Sequence, residues 1–253
     1  MALLEIQDLS IHFGGVKAVQ NVSFSIEAGI VYAVIGPNGA GKTTLFNLIT
    51  GVYTPSSGVI RLDGESIGGK SPNELATRGV ARTFQNLQIC MNMSAIENVM
   101  VGAHLRLDRN LIKAALRLPS IRRRDTELRS EATELMRFVG LAQYVDARAD
   151  SMPYGALKRL EIARALAMKP RLIFLDEPAA GLNPKETIEV DQLVRKVADS
   201  GVTVVLVEHD MKMVMNLSDR ILVLDYGKKL AEGSGAEVRK NPDVIAAYLG
   251  THS

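Results

Sequence analysis

The sequence predicts an α/β fold with a mostly parallel, buried sheet, an N-terminal antiparallel β layer and an inserted helical subdomain. Three observations carry this. Short continuous apolar runs alternate with helical patterns through the body of the chain, as happens when strands are covered on both faces. The first 65 residues instead hold short strands separated by glycine turns. Between about Gln88 and Ala165 the composition turns rich in Leu, Ala and Arg, and the pattern is helical.

Taken in order, Leu4–Asp8, Val22–Glu27 and Val59–Asp63 read as strands, with turns at Gly14-Gly15, Gly29 and Gly64. They suit an antiparallel edge or a small β layer. Val31–Ile35 is a continuous apolar run that leads into a glycine-rich turn and then a helical stretch, Lys42–Thr50. Arg171–Asp176, Val202–Val207 and Arg220–Asp225 are further buried-strand candidates. This divides a single domain into a core of about residues 1–87 and 166–253 and a helical subdomain of about 88–165. The middle of the helical stretch, Arg117 to Arg129, includes the basic run Arg122-Arg123-Arg124. No aromatics interleave with those charges, so a solvated helix face or loop is expected rather than a nucleic-acid patch.

With 253 residues the chain is long enough to bury a sizeable core. Its 47% hydrophobic and 23% charged residues are those of a soluble globular protein, and a net charge of +2 asks for no nucleic-acid partner. The single cysteine, Cys90, excludes an intrachain disulfide and suits a reducing compartment. No apolar run approaches the roughly 20 residues that span a bilayer. Met1 to Ser10 carries Glu5 and Asp8 and lacks the basic start and apolar stretch of a secretory signal. A membrane, if one matters, is expected to be reached through a partner.

Gly36-Pro37-Asn38-Gly39-Ala40-Gly41-Lys42-Thr43 fits the GxxxxGK[ST] phosphate-loop pattern, after a strand and before a helix, and Thr44 extends it. Glycines let the backbone curl so that its N–H groups face phosphate oxygens, and the following helix aims its positive dipole end at the same place. Lys42 is expected to reach the β- and γ-phosphates and Thr43 to give a hydroxyl to Mg²⁺. A P-loop NTPase core binding a nucleoside triphosphate and Mg²⁺ follows. Leu172–Leu175 is an apolar run ending in Asp176 and Glu177. A buried strand there would deliver Asp176 to the metal, with Glu177 placed to polarise the attacking water as general base. These two motifs leave kinase, GTPase, recombinase-like motor and transporter ATPase open; the absence of an NKxD-type guanine motif weakens the GTPase reading.

The order of the remaining motifs resembles the ABC ATPase family over nearly the whole chain. Gln85, in Arg82-Thr83-Phe84-Gln85-Asn86, matches the family's glutamine loop, which implies contact with Mg²⁺ and water. Phe13 stands where the family stacks an aromatic on adenine. His209, in Val207-Glu208-His209-Asp210, matches the switch histidine at the γ-phosphate, and Ala180-Gly181-Leu182-Asn183 resembles the loop that meets a second subunit, with Asn183 in place of the usual aspartate. Within the family, Arg82–Asn86, Leu160–Ala165, Asp176–Thr187, Glu208–Lys212, Asn241–Gly250 and the insertion around Leu105–Arg129 resemble the Liv-type subunits of branched-chain amino-acid importers. The resemblance implies an ATP hydrolase on the cytoplasmic face of a membrane. Its implied partners are integral permease subunits, a second cassette and, indirectly, a substrate-binding protein. Another small polar cargo stays open, because the ATPase does not touch the cargo. Leu87 to Met100 is where the family receives the permease, and Met91, Met93 and Ile96 there are either an adaptable apolar surface or core.

One motif departs from the family. Where it carries LSGGQ, or something like LAYGQ in this subgroup, the chain reads Met152-Pro153-Tyr154-Gly155-Ala156. Pro153 has neither a hydroxyl nor a backbone N–H for the γ-phosphate, and Ala156 replaces the glutamine. The chain therefore keeps its nucleotide-holding half and has an altered half for completing a partner's site. This favours a non-identical second cassette over a homodimer and keeps open an ATP-gated dimerising module with weak turnover. A soluble, non-transport ABC protein is the third reading.

Overall fold

The computed structural model describes residues 2–106 and 119–249. Residues 107–118 of the expected helical insertion, and Gly250 of the C-terminal stretch, lie outside the described residues. Strands β1 (Ala2–Phe13), β2 (Val16–Glu27), β4 (Ser57–Leu62) and β5 (Glu65–Ser66) form an antiparallel sheet in the order β2-β1-β4-β5. β1 and β2 are longer than the apolar runs that announce them, because their outer ends are polar and bulged. The alternation that is visible, with Leu4, Ile6, Leu9 and Ile11 buried, sets the inward face.

β3 (Val31–Ile35), β6 (Val80–Arg82), β7 (Leu172–Asp176), β8 (Thr203–Val207), β9 (Arg220–Asp225) and β10 (Lys228–Gly233) form the second sheet, in the order β10-β9-β3-β8-β7-β6. All pairs are parallel except β10 with β9. β3, β7 and β8 are buried at every position, as their unbroken apolar runs require. β6 is too short and β10 too polar to stand out in the sequence. β10 is an edge strand whose Lys228 and Lys229 are exposed, a charge pattern that discourages edge pairing.

The inner strands of this sheet face two cores. Tyr32, Val34, Phe174, Val205 and Leu222 pack with the N-terminal sheet and with α1 (Lys42–Ile49), where Phe46 meets Phe174 edge-on at 5.0 Å. Ala33, Ile35, Leu175, Leu206 and Val223 face the other core, with α6 (Pro184–Asp199), α7 (Met211–Leu217) and the helical region. In chain order the remaining helices are α2 (Pro72–Thr77), α3 (Ala95–Gly102), α4 (Pro119–Phe138), α5 (Tyr154–Leu166), α8 (Gly235–Lys240) and α9 (Pro242–Leu249).

In the helical region α3, α4 and α5 pack on one another. Arg123 and Arg124 of the basic run stand exposed on α4; Arg123 pairs with Glu127 at 3.0 Å, and Arg124 donates to the Arg106 carbonyl. Ile96 and Val99 belong to the core, Met93 is half-buried and Met91 is exposed, so the stretch after Gln85 divides between packing and surface. No helix among the described residues is long and apolar enough to cross a membrane.

Gly102 sets how closely α3 crosses α5: any side chain there would land on the Arg164 carbonyl. Gly102→Ala gains about 1 kcal/mol of helix propensity, but overpacking a fixed crossing costs about 1–3 kcal/mol. We expect a net lower urea midpoint, checked by equilibrium unfolding.

Candidate active site

Register in the parallel sheet assembles the site. Val34 and Asp176 both pair with Val207, so β3, β7 and β8 end within one residue of the same level. The next residues out are Gly36, Glu177 and Glu208. The loop from Gly36 curls through positive φ at Gly39 (80°) and Gly41 (99°). At Gly41 a side chain would strike the Ala18 carbonyl, and at Gly36 that of Leu224. Gly41 caps α1 without a side chain of its own, which leaves the first-turn amides of Lys42, Thr43 and Thr44 for a ligand.

Lys42 is buried, and its Nζ donates to the carbonyls of Gly36 (2.7 Å) and Pro37 (3.0 Å). Burial pushes its pKa down, against the pull of Glu177 and Asp176. Above it opens a cleft of about 650 Å³ lined by Asn38–Thr44, Gly15–Ala18, Gln85, Glu177, His209 and Tyr226. That volume suits one nucleotide-sized ligand.

Two residues distant in sequence converge on the carboxylate of Glu177. Gln85 Nε2 donates to Glu177 Oε2 at 3.2 Å, and His209 Nε2 lies 2.8 Å from Glu177 Oε1. Glu177 itself has φ of 49°, a left-handed conformation uncommon outside glycine, and its amide is tied to the Val207 carbonyl at 2.9 Å.

Sequence reasoning missed two supports. Glu208 is buried; its Oε1 accepts the Ala179 amide (2.9 Å) and its Oε2 the amide of His209 (3.2 Å), which fixes the loops on either side of Glu177. Burial pushes its carboxyl pKa up, while those amides pull it down. An acid directly before His209, at the end of a buried strand, was the available signal. Arg82 is the second support. It donates to Asp176 Oδ2 at 3.1 Å in a nearly buried pair, to Asn47 on α1 (2.6 Å) and to Thr50 at that helix's C-cap (2.9 Å). Its guanidinium lies 5.2 Å from the Phe84 ring centre, so it joins β6, β7 and α1 beneath the cleft.

Phe13 lies outside the cleft lining. Its half-exposed ring meets Tyr53 edge-on at 5.2 Å. Val16 and Tyr226, both largely exposed, line the mouth instead.

The pattern of the ABC transporter family matches residues 19–180. The chain belongs to the ABC transporter family. A second pattern, described as branched-chain amino acid ATP-binding cassette transporter, matches residues 228–253. The chain is 46% identical to the high-affinity branched-chain amino acid transport ATP-binding protein BraF of Pseudomonas aeruginosa and 43% identical to LivG of Escherichia coli K12, each over 98% of both chains. Among solved structures it resembles an ATP-binding cassette of an ABC transporter in its ADP conformation, with a TM-score of 0.86, 31% identity and 99% of each chain covered.

In this cassette none of Met152, Pro153, Tyr154, Gly155 and Ala156 lines the cleft. Pro153 is the exposed N-cap of α5 and makes no side-chain cap bond. The half-exposed Tyr154 ring covers Gly181, and at Gly155 a side chain would strike Glu186. Met152 and Ala156 belong to the core. Asn183 caps α6, its Oδ1 accepting the amides of Lys185 and Glu186, each at 3.0 Å. An aspartate would cap equally well, so the exchange leaves this fold intact.

Two substitutions separate binding from chemistry. If Lys42 Nζ turns to phosphate, Lys42→Ala loses a charge-assisted contact of about 1.5–3 kcal/mol and is expected to weaken ATP binding roughly tenfold to a hundredfold in calorimetry. Glu177→Gln is expected to keep ATP affinity within a few-fold while hydrolysis falls on the order of 10² to 10⁴.

Proposed function

We propose that this cassette hydrolyses ATP on the cytoplasmic face of a membrane to power import of branched-chain or related amino acids through integral permease subunits. The observation that carries the hydrolytic reading is the meeting of Gln85 and His209 on the Glu177 carboxylate at the mouth of the phosphate loop. The cargo reading rests on the similarity to branched-chain amino acid transport ATP-binding proteins and on the match at residues 228–253.

In this reading Lys42 exchanges the Gly36 and Pro37 carbonyls for the β- and γ-phosphates, and residues Gly36–Thr44 wrap the phosphates with backbone amides. Glu177 takes a proton from the attacking water, His209 contacts the γ-phosphate, and Gln85 orients the water. The hydroxyl of Thr43, the amide oxygen of Gln85 and the carboxylate of Asp176 are hard oxygen donors of the kind Mg²⁺ takes, and they are few enough to be shared with phosphates and water. A bound Mg²⁺ supplies charge neutralisation of the phosphate oxygens. Adenine stacks on Phe13 or on the cleft-lining Tyr226; loss of affinity in Phe13→Ala or in Tyr226→Ala identifies which. Co-purification with a permease and amino-acid uptake into ATP-loaded vesicles test the whole proposal. An assembled complex that moves no branched-chain amino acid overturns the cargo.

The Met152–Ala156 segment supports a working pair in which a second, non-identical cassette completes this chain's site. The position of Pro153 makes the test clean. It is exposed and caps α5, so Pro153→Ser supplies a favoured N-cap as well as a hydroxyl, whereas Ala156→Gln would bury an amide in the core. Pro153→Ser is expected to raise the steady-state ATPase rate of the isolated chain about tenfold, together with a higher melting temperature. A higher melting temperature with an unchanged rate would show that Pro153 does not limit turnover.

A further inference from the structure

One face of α5 grips the loop that carries Gln85. Lys158, Glu161 and Arg164 recur at three-residue spacing on that helix. Lys158 Nζ donates to the Gln85 carbonyl at 3.4 Å, and Arg164 donates to the Gln88 carbonyl. Between these two cations lies Glu161, 4% exposed, with the amides of Phe84 and Gln88 acting on its carboxyl. Burial pushes its pKa up; Lys158, those two amides and Arg164 pull it down. Its Oε1 is sealed from solvent with no hydrogen-bond partner.

An orphan carboxyl oxygen in a closed space is destabilising, and an apolar residue would pack there at lower cost. Its two ends of influence are already in place. The Gln85 side chain is bonded to Glu177 across the nucleotide cleft, and α5 begins at Tyr154, whose ring lies 5.8 Å from Lys158 Nζ.

We propose that Glu161 is a positioning residue that locks the Gln85 loop to α5, so that nucleotide in this chain's own cleft sets the orientation of the Pro153–Ala156 segment offered to a second cassette. The proposal rests on the roles given above to Gln85 and to that segment.

The test uses the full chain. Glu161→Met keeps the volume and removes the acceptor; Glu161→Gln keeps an acceptor. ATP affinity of the monomer and the melting temperature are expected to stay near wild type in both. ATP-driven dimerisation, measured in a Glu177→Gln background, is expected to weaken at least tenfold for Glu161→Met. With Glu177 intact, kcat is expected to fall at least tenfold at nearly constant KM, and Glu161→Gln to recover most of both losses. Wild-type dimerisation and kcat in Glu161→Met overturn the proposal, as does an equal loss in Glu161→Gln. Gln85→Ala separates the causes. If Gln85→Ala slows hydrolysis and Glu161→Met does not, the lock alone fails; if neither slows it, the role of Gln85 fails too. Hydrogen exchange in the wild-type chain reads the lock without substitution. ATP is expected to slow exchange at the amides of Phe84 and Gln88 at least tenfold, and unchanged exchange overturns it.

Discussion

The parallel register of β3, β8 and β7 is the constraint on which the rest depends. Because Val34 and Asp176 both sit opposite Val207, the loops after these three strands leave the sheet within one residue of the same level. The phosphate loop, Glu177 and the Glu208-His209 pair are therefore delivered to one edge by backbone hydrogen bonds alone. A slip of one residue in any of these strands would turn its buried side chains to the opposite core and carry its site residue away from the others.

That edge is held tense. Lys42 is desolvated and leans on its own loop carbonyls, and Glu177 adopts a left-handed backbone for which a non-glycine residue has no local reason. Glu208 is a carboxyl buried to hold two amides, and Arg82 is sunk beneath the cleft against Asp176. Each is unfavourable in isolation. Together they prepare positive charge where phosphates would sit and aim a carboxylate outward with two polar partners, a preorganised polar site of the kind that lowers barriers to phosphoryl transfer.

The helical region adds a second lever. α5 starts with the exposed Pro153 and Tyr154, runs under the Gln85 loop, and crosses α3 at Gly102 with no room for a side chain. Lys158 and Arg164 tie the loop carbonyls of Gln85 and Gln88 to this helix, so loop and helix are packed as one unit. The altered segment at its start thus sits on a helix packed into the core, with Pro153 exposed at its N-cap.

The fold was legible because a parallel sheet buried on both faces writes itself as unbroken apolar runs: β3, β7, β8 and β9 fall within a residue of where those runs place them. The phosphate loop was legible because its glycines and lysine are contiguous and answer to one local geometry. β6 and β10 were not, since a three-residue strand and a polar edge strand carry no periodicity to read. Nor were Arg82, Glu208 and Glu161. Their meaning comes from burial and from partners such as Asp176, Ala179 and Phe84, and in the sequence a charged residue looks the same whether it is solvated or sealed. Ile96 and Met91 diverge for the same reason, one turned into the core and the other out of it. The sequence by itself determined the α/β class, the phosphate loop and the residue types available for chemistry, because these depend on local pattern. Only the tertiary structure decided which side chains meet on Glu177, which ring lines the cleft, and which acids are buried, because those depend on distances between segments that the chain order does not contain.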